Sequence, residues 1–138
     1  MFNSSWREVK IGSLGSVLTG KTPPTAKQHY FGRDYPFITP TDIDGIKREV
    51  KTERFLSESG KEYLGNLLLP PNTVCFVCIG ATIGKMCMTD QPSITNQQVN
   101  SIIVDEENFD PRFVYYALRY ATPRVINVSS GAATTKFD

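Results

Sequence analysis

The first residues with a chemistry attached to their spacing are Gly15-Ser16-Val17-Leu18-Thr19-Gly20-Lys21-Thr22, which match G-x-x-x-x-G-K-[ST]. That pattern lets backbone N–H groups and a lysine surround nucleotide phosphates, with the hydroxyl beside Mg²⁺. Ile102-Ile103-Val104-Asp105, an apolar run ending in a carboxylate, resembles the strand that helps hold the metal in such sites. The cradle also needs a helix opening at the lysine, so that its N-terminal dipole faces the phosphates. Pro23 and Pro24 follow at once, each pushing its predecessor out of helical geometry. A small P-loop nucleotide hydrolase using Gly15 to Thr22 is therefore the alternative reading and not the leading one.

Cys75-Phe76-Val77-Cys78 has the spacing of a redox or zinc element. It lies in an apolar, β-branched run, however, and residues three apart on a strand face opposite ways. Cys87 and the single His29 supply no second ligand pair, so no metal is expected and the thiols read as buried apolar groups. His29 has no paired serine or cysteine motif, which leaves a hydrolytic triad without support. Asp42 and Asp44, two apart in a turn, read as capping groups and not as a general acid–base pair.

A different chemistry suits Gly20 to Tyr35, which has no apolar periodicity and reads as an exposed loop. It carries Lys21, Lys27, Gln28, His29, Tyr30 and Arg33. Cations neutralise phosphates, and amides pair with base edges, so this mixture fits a nucleic-acid surface. A solvated loop is the other reading of the same composition. Asp44-Gly45 makes a turn followed by a second basic cluster, Lys47, Arg48 and Lys51.

These loops need a platform, and the stretch from Pro70 to Gln98 is the candidate. Val74 to Ile79 is apolar on both alternating sides, as in a strand covered above and below. Gly80 to Gly84 turns the chain, Lys85 to Met88 leaves as a more amphipathic strand, and Thr95-Asn96-Gln97-Gln98 closes the unit as a polar turn. Pro36 to Thr39 and Val99 to Val104 are further strands. Ser57 caps a short helix that Gly65 ends. Asp110 and Pro111 open the clearest helix, with Phe113, Tyr116, Ala117 and Tyr120 on its expected core face and Arg112 and Arg119 on another. Trp6 is a candidate core anchor.

Length and composition bound the rest. The 138 residues suffice for one domain, and 40% hydrophobic with 21% charged residues is an ordinary globular balance. The net charge of +1 neither demands nor excludes a nucleic-acid partner. No run approaches the roughly 18 apolar residues of a membrane span. The opening lacks a signal-peptide core, so a cytoplasmic location is expected.

In order and spacing, several weak motifs form a series. Val9 to Leu14 follows Trp6; then come Gly20-Lys21-Thr22-Pro23, Pro36-Phe37-Ile38-Thr39 with Asp42-Ile43, and Leu69 to Val74. Gly80-Ala81-Thr82-Ile83-Gly84-Lys85, Ile94-Thr95-Asn96-Gln97 and the helix from Pro111 to Leu118 complete it. Over nearly its whole length the chain resembles a target recognition domain of the DNA specificity (S) subunit of type I restriction–modification enzymes. The resemblance implies an α+β fold, a twisted and mostly antiparallel sheet with short helices and one longer C-terminal helix. It implies a non-catalytic reader of double-stranded DNA, partnered by methyltransferase (M) and restriction (R) subunits. S-adenosylmethionine, ATP and Mg²⁺ would be held by those partners alone. Such subunits normally carry two recognition domains joined by long spacer helices. Residues 1–138 read as a single such domain without spacer or second domain, as in a fragment or a half-subunit that dimerises. The resemblance also suggests roles. Gly80, Gly84, Asn96 and Gln97 would be loop scaffold, and Lys21, Lys27 and Lys85 phosphate contacts. Gln28, His29, Tyr30, Arg33, Lys47, Arg48 and Lys51 would be candidates for reading bases, with Gln28 suited to adenine and Arg33 or Arg48 to guanine.

Overall fold

The computed structural model describes residues 10–80 and 82–121. Trp6, Val9, Ala81 and the tail beyond Ala121 lie outside them, and with them the expected anchor role of Trp6. A 3₁₀ turn at Ile11–Ser13 leads into β1 (Gly15–Thr19). After a second 3₁₀ turn at Gln28–Tyr30 come β2 (Phe31–Ile38), a 3₁₀ turn at Pro40–Asp42, β3 (Arg54–Leu56) and helix α1 (Glu58–Tyr63). The rest is β4 (Val74–Val77), β5 (Met86–Met88), β6 (Ile94–Thr95), β7 (Val99–Val104) and helix α2 (Pro111–Tyr120).

The strands divide between two sheets. One has the order β1-β7-β4-β5 and is antiparallel throughout; the other has the order β3-β2-β6, with β2 and β6 parallel. β4 is interior to the larger sheet, as its two apolar faces require. Val74, Phe76 and Cys78 pack into one core with α2, while Cys75 and Val77 pack into a second core with Ile38, Ile43 and Leu69. Along β2 the same alternation holds: Ile38 joins that second core, and Phe37 joins a third with Leu56, Leu64 and Ile94 beneath α1. The layers therefore run α2, larger sheet, smaller sheet, α1.

Local chemistry explains the helix ends. The Ser57 hydroxyl accepts from the Gly60 N–H at 3.1 Å, and Gly65 leaves α1 at φ +65°. The Asp110 carboxylate accepts from the Arg112 N–H at 2.9 Å, with Pro111 in the first turn of α2.

Five expectations need correction. The exposed loop expected over Gly20 to Tyr35 ends early, because β2 begins at Phe31. Its first half carries Gly32, Arg33 and Asp34 toward solvent and pairs only with β3 across a register shift, so no apolar alternation marks it. The β4 ladder ends at Val77, leaving Ile79 54% exposed at the start of the turn. Residues 86–88 are buried on both sides, not amphipathic, because Met86 and Met88 meet α2 while Cys87 faces the smaller sheet. The expected polar closing turn begins one residue late, because Thr95 belongs to a buried strand, β6, which links the sheets. Finally, α2 buries Val114, Tyr115, Leu118 and Ala121, whereas Phe113, Tyr116 and Tyr120 are exposed at 60%, 53% and 85%. Val114, Leu118 and Ala121 fill the core together with Tyr115, whose hydroxyl is satisfied by the Arg119 guanidinium, while Phe113, Tyr116 and Tyr120 take the outer face.

Candidate nucleic-acid interface

Where β1 ends, Gly20 passes so close to β6 that a Cβ would overlap the Thr95 carbonyl, its hydroxyl and the Asn96 carbonyl. Glycine is required here by packing. The Lys21 N–H donates to the Thr95 carbonyl at 3.0 Å, and the Thr22 hydroxyl donates to Gln97 Oε1 at 2.7 Å. The Gly20 and Lys21 N–H groups and the Thr22 hydroxyl of the apparent phosphate motif are thus bound to the protein itself. Gly15–Thr19 is a strand paired with β7, and no helix follows Thr22. That geometry overturns the nucleotide-hydrolase reading.

The turn at residues 96–98 is held from three sides. The Asn96 N–H donates to the Ile38 carbonyl and the Cys78 N–H to the Gln98 carbonyl, both at 3.0 Å. Within the turn, Asn96 Oδ1 accepts from the Gln98 N–H at 3.0 Å. Gln98 in turn lies against Gly80, where an added Cβ would sit 3.0 Å from its amide nitrogen. Gly80 and Gly84 take φ values of +103° and +98°, which side chains resist. Lys21, Gln97, Gly80, Gly84 and Lys85 therefore occupy one rim.

The basic loop after β2 continues that rim. Asp44 Oδ1 accepts from the Ile46 and Lys47 N–H groups at 2.6 and 2.7 Å, and these bonds hold its carboxyl below the usual range. Gly45, at φ +85°, leaves room for the Lys85 stem, whose carbons lie 3.6 Å from where a Cβ would stand. The Arg48 carbonyl accepts from the Met88 N–H at 2.8 Å, covering the outer edge of β5. Arg48 Nη1 donates to the Tyr116 hydroxyl at 2.9 Å, and its other arm reaches Glu49 at 3.5 Å. Arg119 donates to the Gly45 and Ile46 carbonyls, each at 3.2 Å, and to the Tyr115 hydroxyl at 3.0 Å. Lys47 and Lys51 are exposed, and Ile46 is 80% exposed.

The other candidate residues stand against α1. The Ser57 N–H donates to the Tyr30 carbonyl at 3.0 Å, and its hydroxyl donates to the His29 carbonyl. Tyr30 stacks on His29 and Tyr63 at centroid distances of 4.3 and 4.7 Å. Lys27, Gln28, His29 and Arg33 are exposed around this stack. Charge beside it is already matched: Lys61 donates to Glu58 at 3.0 Å, as does Tyr35 at 2.8 Å. Those bonds lower the Glu58 pKa and raise those of Lys61 and Tyr35. The contacts thus group Lys21, Lys85, Lys47 and Arg48 on one rim and Gln28, His29 and Tyr30 on another.

Sequence reasoning placed Tyr116 on a core face, Arg119 on another face of the same helix and Gln98 in the polar turn, and assigned none of them to the site. The offset of three between Tyr116 and Arg119 was visible, but their partners lie some seventy residues away. The cysteines follow their expected faces in part: Cys75 and Cys78 point to different cores. Cys75 instead meets Cys87 directly across the β4–β5 ladder, with the Ser101 hydroxyl donating to its sulfur at 3.4 Å. Contact with Cys75, together with burial, pushes the Cys87 thiol well above its ordinary range, and burial pushes Cys78 up. Among the described residues no three His, Cys, Asp or Glu side chains are placed to hold a metal. No described helix is long and apolar enough to cross a membrane.

A family model for the type I restriction modification DNA specificity domain matches residues 3–138. The type I restriction enzyme HindI specificity subunit of Haemophilus influenzae is 35% identical over 132 residues, 94% of this chain and 28% of that protein. The MjaIX specificity subunit of Methanocaldococcus jannaschii is 29% identical over 119 residues, 85% of this chain and 27% of that one. In fold, the chain is similar to the crystal structure of the HsdS subunit from Thermoanaerobacter tengcongensis, with a TM-score of 0.73 at 13% identity. That match covers 99% of this chain and 34% of the other. The chain spans about a quarter to a third of the length of these relatives.

Proposed function

The chain belongs to the DNA specificity domain family of type I restriction–modification systems, and on that premise we propose that it selects a short double-stranded DNA sequence for such a complex. The domain makes and breaks no bonds itself. Methyltransferase and restriction subunits supply adenine methylation and cleavage, and they hold S-adenosylmethionine, ATP and Mg²⁺. The complex works in the cytoplasm, where its DNA substrate lies. A second recognition domain, from a longer chain or a second copy, completes the site.

One observation carries this reading. Lys21, Lys85, Lys47 and Arg48 stand along one rim whose backbone is tied into both sheets, so cations are presented from a stiff base. Stiffness matters because a reader that must order itself on binding loses affinity to that ordering. Lys21, Lys27 and Lys85 serve as phosphate contacts, which position the duplex without choosing its sequence. Lys47, Arg48 and Lys51 read bases from the rim, and Gln28, His29, Tyr30 and Arg33 read from the α1 side. Gly80, Gly84, Asn96 and Gln97 shape the turns between them.

Selection of the full chain against a randomised duplex DNA pool tests the proposal. Wild-type protein should enrich a defined motif, with affinity falling linearly in log–log form as salt rises. Lys21→Gln and Lys85→Gln should each weaken binding to all sequences alike and reduce the salt slope by about one. Enrichment of no motif, or binding indifferent to salt, would reject it.

A further inference from the structure

Helix α2 reaches across to the basic loop at three points, and none of them is needed to hold the helix itself. Arg119 donates to the carbonyls of Gly45 and Ile46, the two residues at the loop tip, through separate guanidinium nitrogens. Its position is fixed in turn by the Tyr115 hydroxyl, on a residue buried in the core. One turn earlier, the Tyr116 hydroxyl accepts from Arg48 Nη1. The planar fork of arginine suits this two-carbonyl grip, which a lysine point charge cannot reproduce. From below, the Lys85 stem packs against Gly45, and from within, Asp44 ties the Ile46 and Lys47 N–H groups.

We infer that Arg119 and Tyr116 are specificity-positioning residues: from α2 they hold the 44–48 loop and the Arg48 guanidinium in the shape that selects the DNA sequence. The inference rests on the DNA-reading function proposed above and goes beyond it, since neither side chain need touch DNA. Bidentate reading of a guanine edge tolerates little misplacement, because both hydrogen bonds must reach N7 and O6 together. Arg48 held by Tyr116 begins close to one orientation instead of searching many. Phosphate contacts by Lys21 or Lys85 do not depend on that orientation. Loss of the clamp should therefore degrade discrimination while sparing general affinity.

The test compares wild type, Arg119→Met, Arg119→Lys, Tyr116→Phe and Arg48→Ala on the same randomised duplex pool, with thermal melting as a control for folding. Tyr116→Phe removes one hydroxyl from an exposed residue, so it reports even where an Arg119 variant melts early. The expected result is about tenfold or greater loss of discrimination in Arg119→Met, at the base positions that Arg48→Ala also relaxes. Arg119→Lys should fall between, Tyr116→Phe should relax the same positions, and the salt slope should stay at the wild-type value. An unchanged motif in both Tyr116→Phe and Arg119→Met overturns the inference while leaving the DNA-reading function intact. Failure of the wild-type chain to enrich any motif overturns that function, and the inference with it.

Discussion

Asp44 shows how one side chain sets the form of a loop. Its carboxylate serves two successive backbone N–H groups, which is why its pKa is lowered from the ordinary 3.8. A depressed folded pKa means that this contribution is present above the unfolded carboxylate range and is lost as pH falls through the lower, folded value. In an NMR titration, the Ile46 and Lys47 amide resonances should therefore keep their positions at roughly pH 4, where an ordinary aspartate is half protonated. Asp44→Ala should shift both at neutral pH, while Asp44→Asn, which keeps an acceptor oxygen, should shift them less. Capping of Thr39 by Asp42 and of Lys47 by Asp44 was legible because both ends of those bonds lie within three residues, whereas the Asp42 bond to the Glu53 N–H, eleven residues away, was not. The Arg48–Tyr116 pairing was not, since no local pattern brings residues 68 apart together.

At the scale of elements, α2 was legible in its ends but not in its facing. Asp110 and Pro111 mark the start through capping chemistry that acts locally. Two apolar stripes compete along its length, however, and periodicity alone does not choose between Phe113-Tyr116-Tyr120 and Val114-Leu118-Ala121. The observed choice leads to a measurement. Leu118→Ala, in the core, should destabilise the chain by about 2–5 kcal/mol in denaturant unfolding, whereas Phe113→Ala should change stability by less than about 0.5 kcal/mol. A large effect at Phe113 would mean that the exposed face is covered. β2 was half legible for a related reason: Pro36 to Ile38 is buried and reads as a strand, while Gly32 to Asp34 faces solvent.

For the whole molecule, alternation within β4 was the most informative pattern in the sequence. A strand apolar on both sides demands cover above and below, and the structure supplies α2 on one side and the smaller sheet on the other. What the pattern could not reveal was that the cover on one side is a second sheet, because β6 contributes only Ile94 and Thr95. The same layering seals all three thiols. Exposed to iodoacetamide at pH 8, Cys75, Cys78 and Cys87 should remain unmodified in the native chain, and all three should react together at the rate of global opening. Earlier modification of Cys78 alone would show that the β4 end frays independently.

The basic loop leaves the body after Ile43, which is still buried in the second core, and rejoins it where the Arg48 carbonyl meets Met88. Between those two fixed points the backbone belongs to neither sheet ladder. Such a stretch behaves as an exchangeable cassette: doubling its length costs only about 0.6 kcal/mol in closure entropy. New reading segments can be transplanted there, or grow by insertion, while the supporting layers stay as they are.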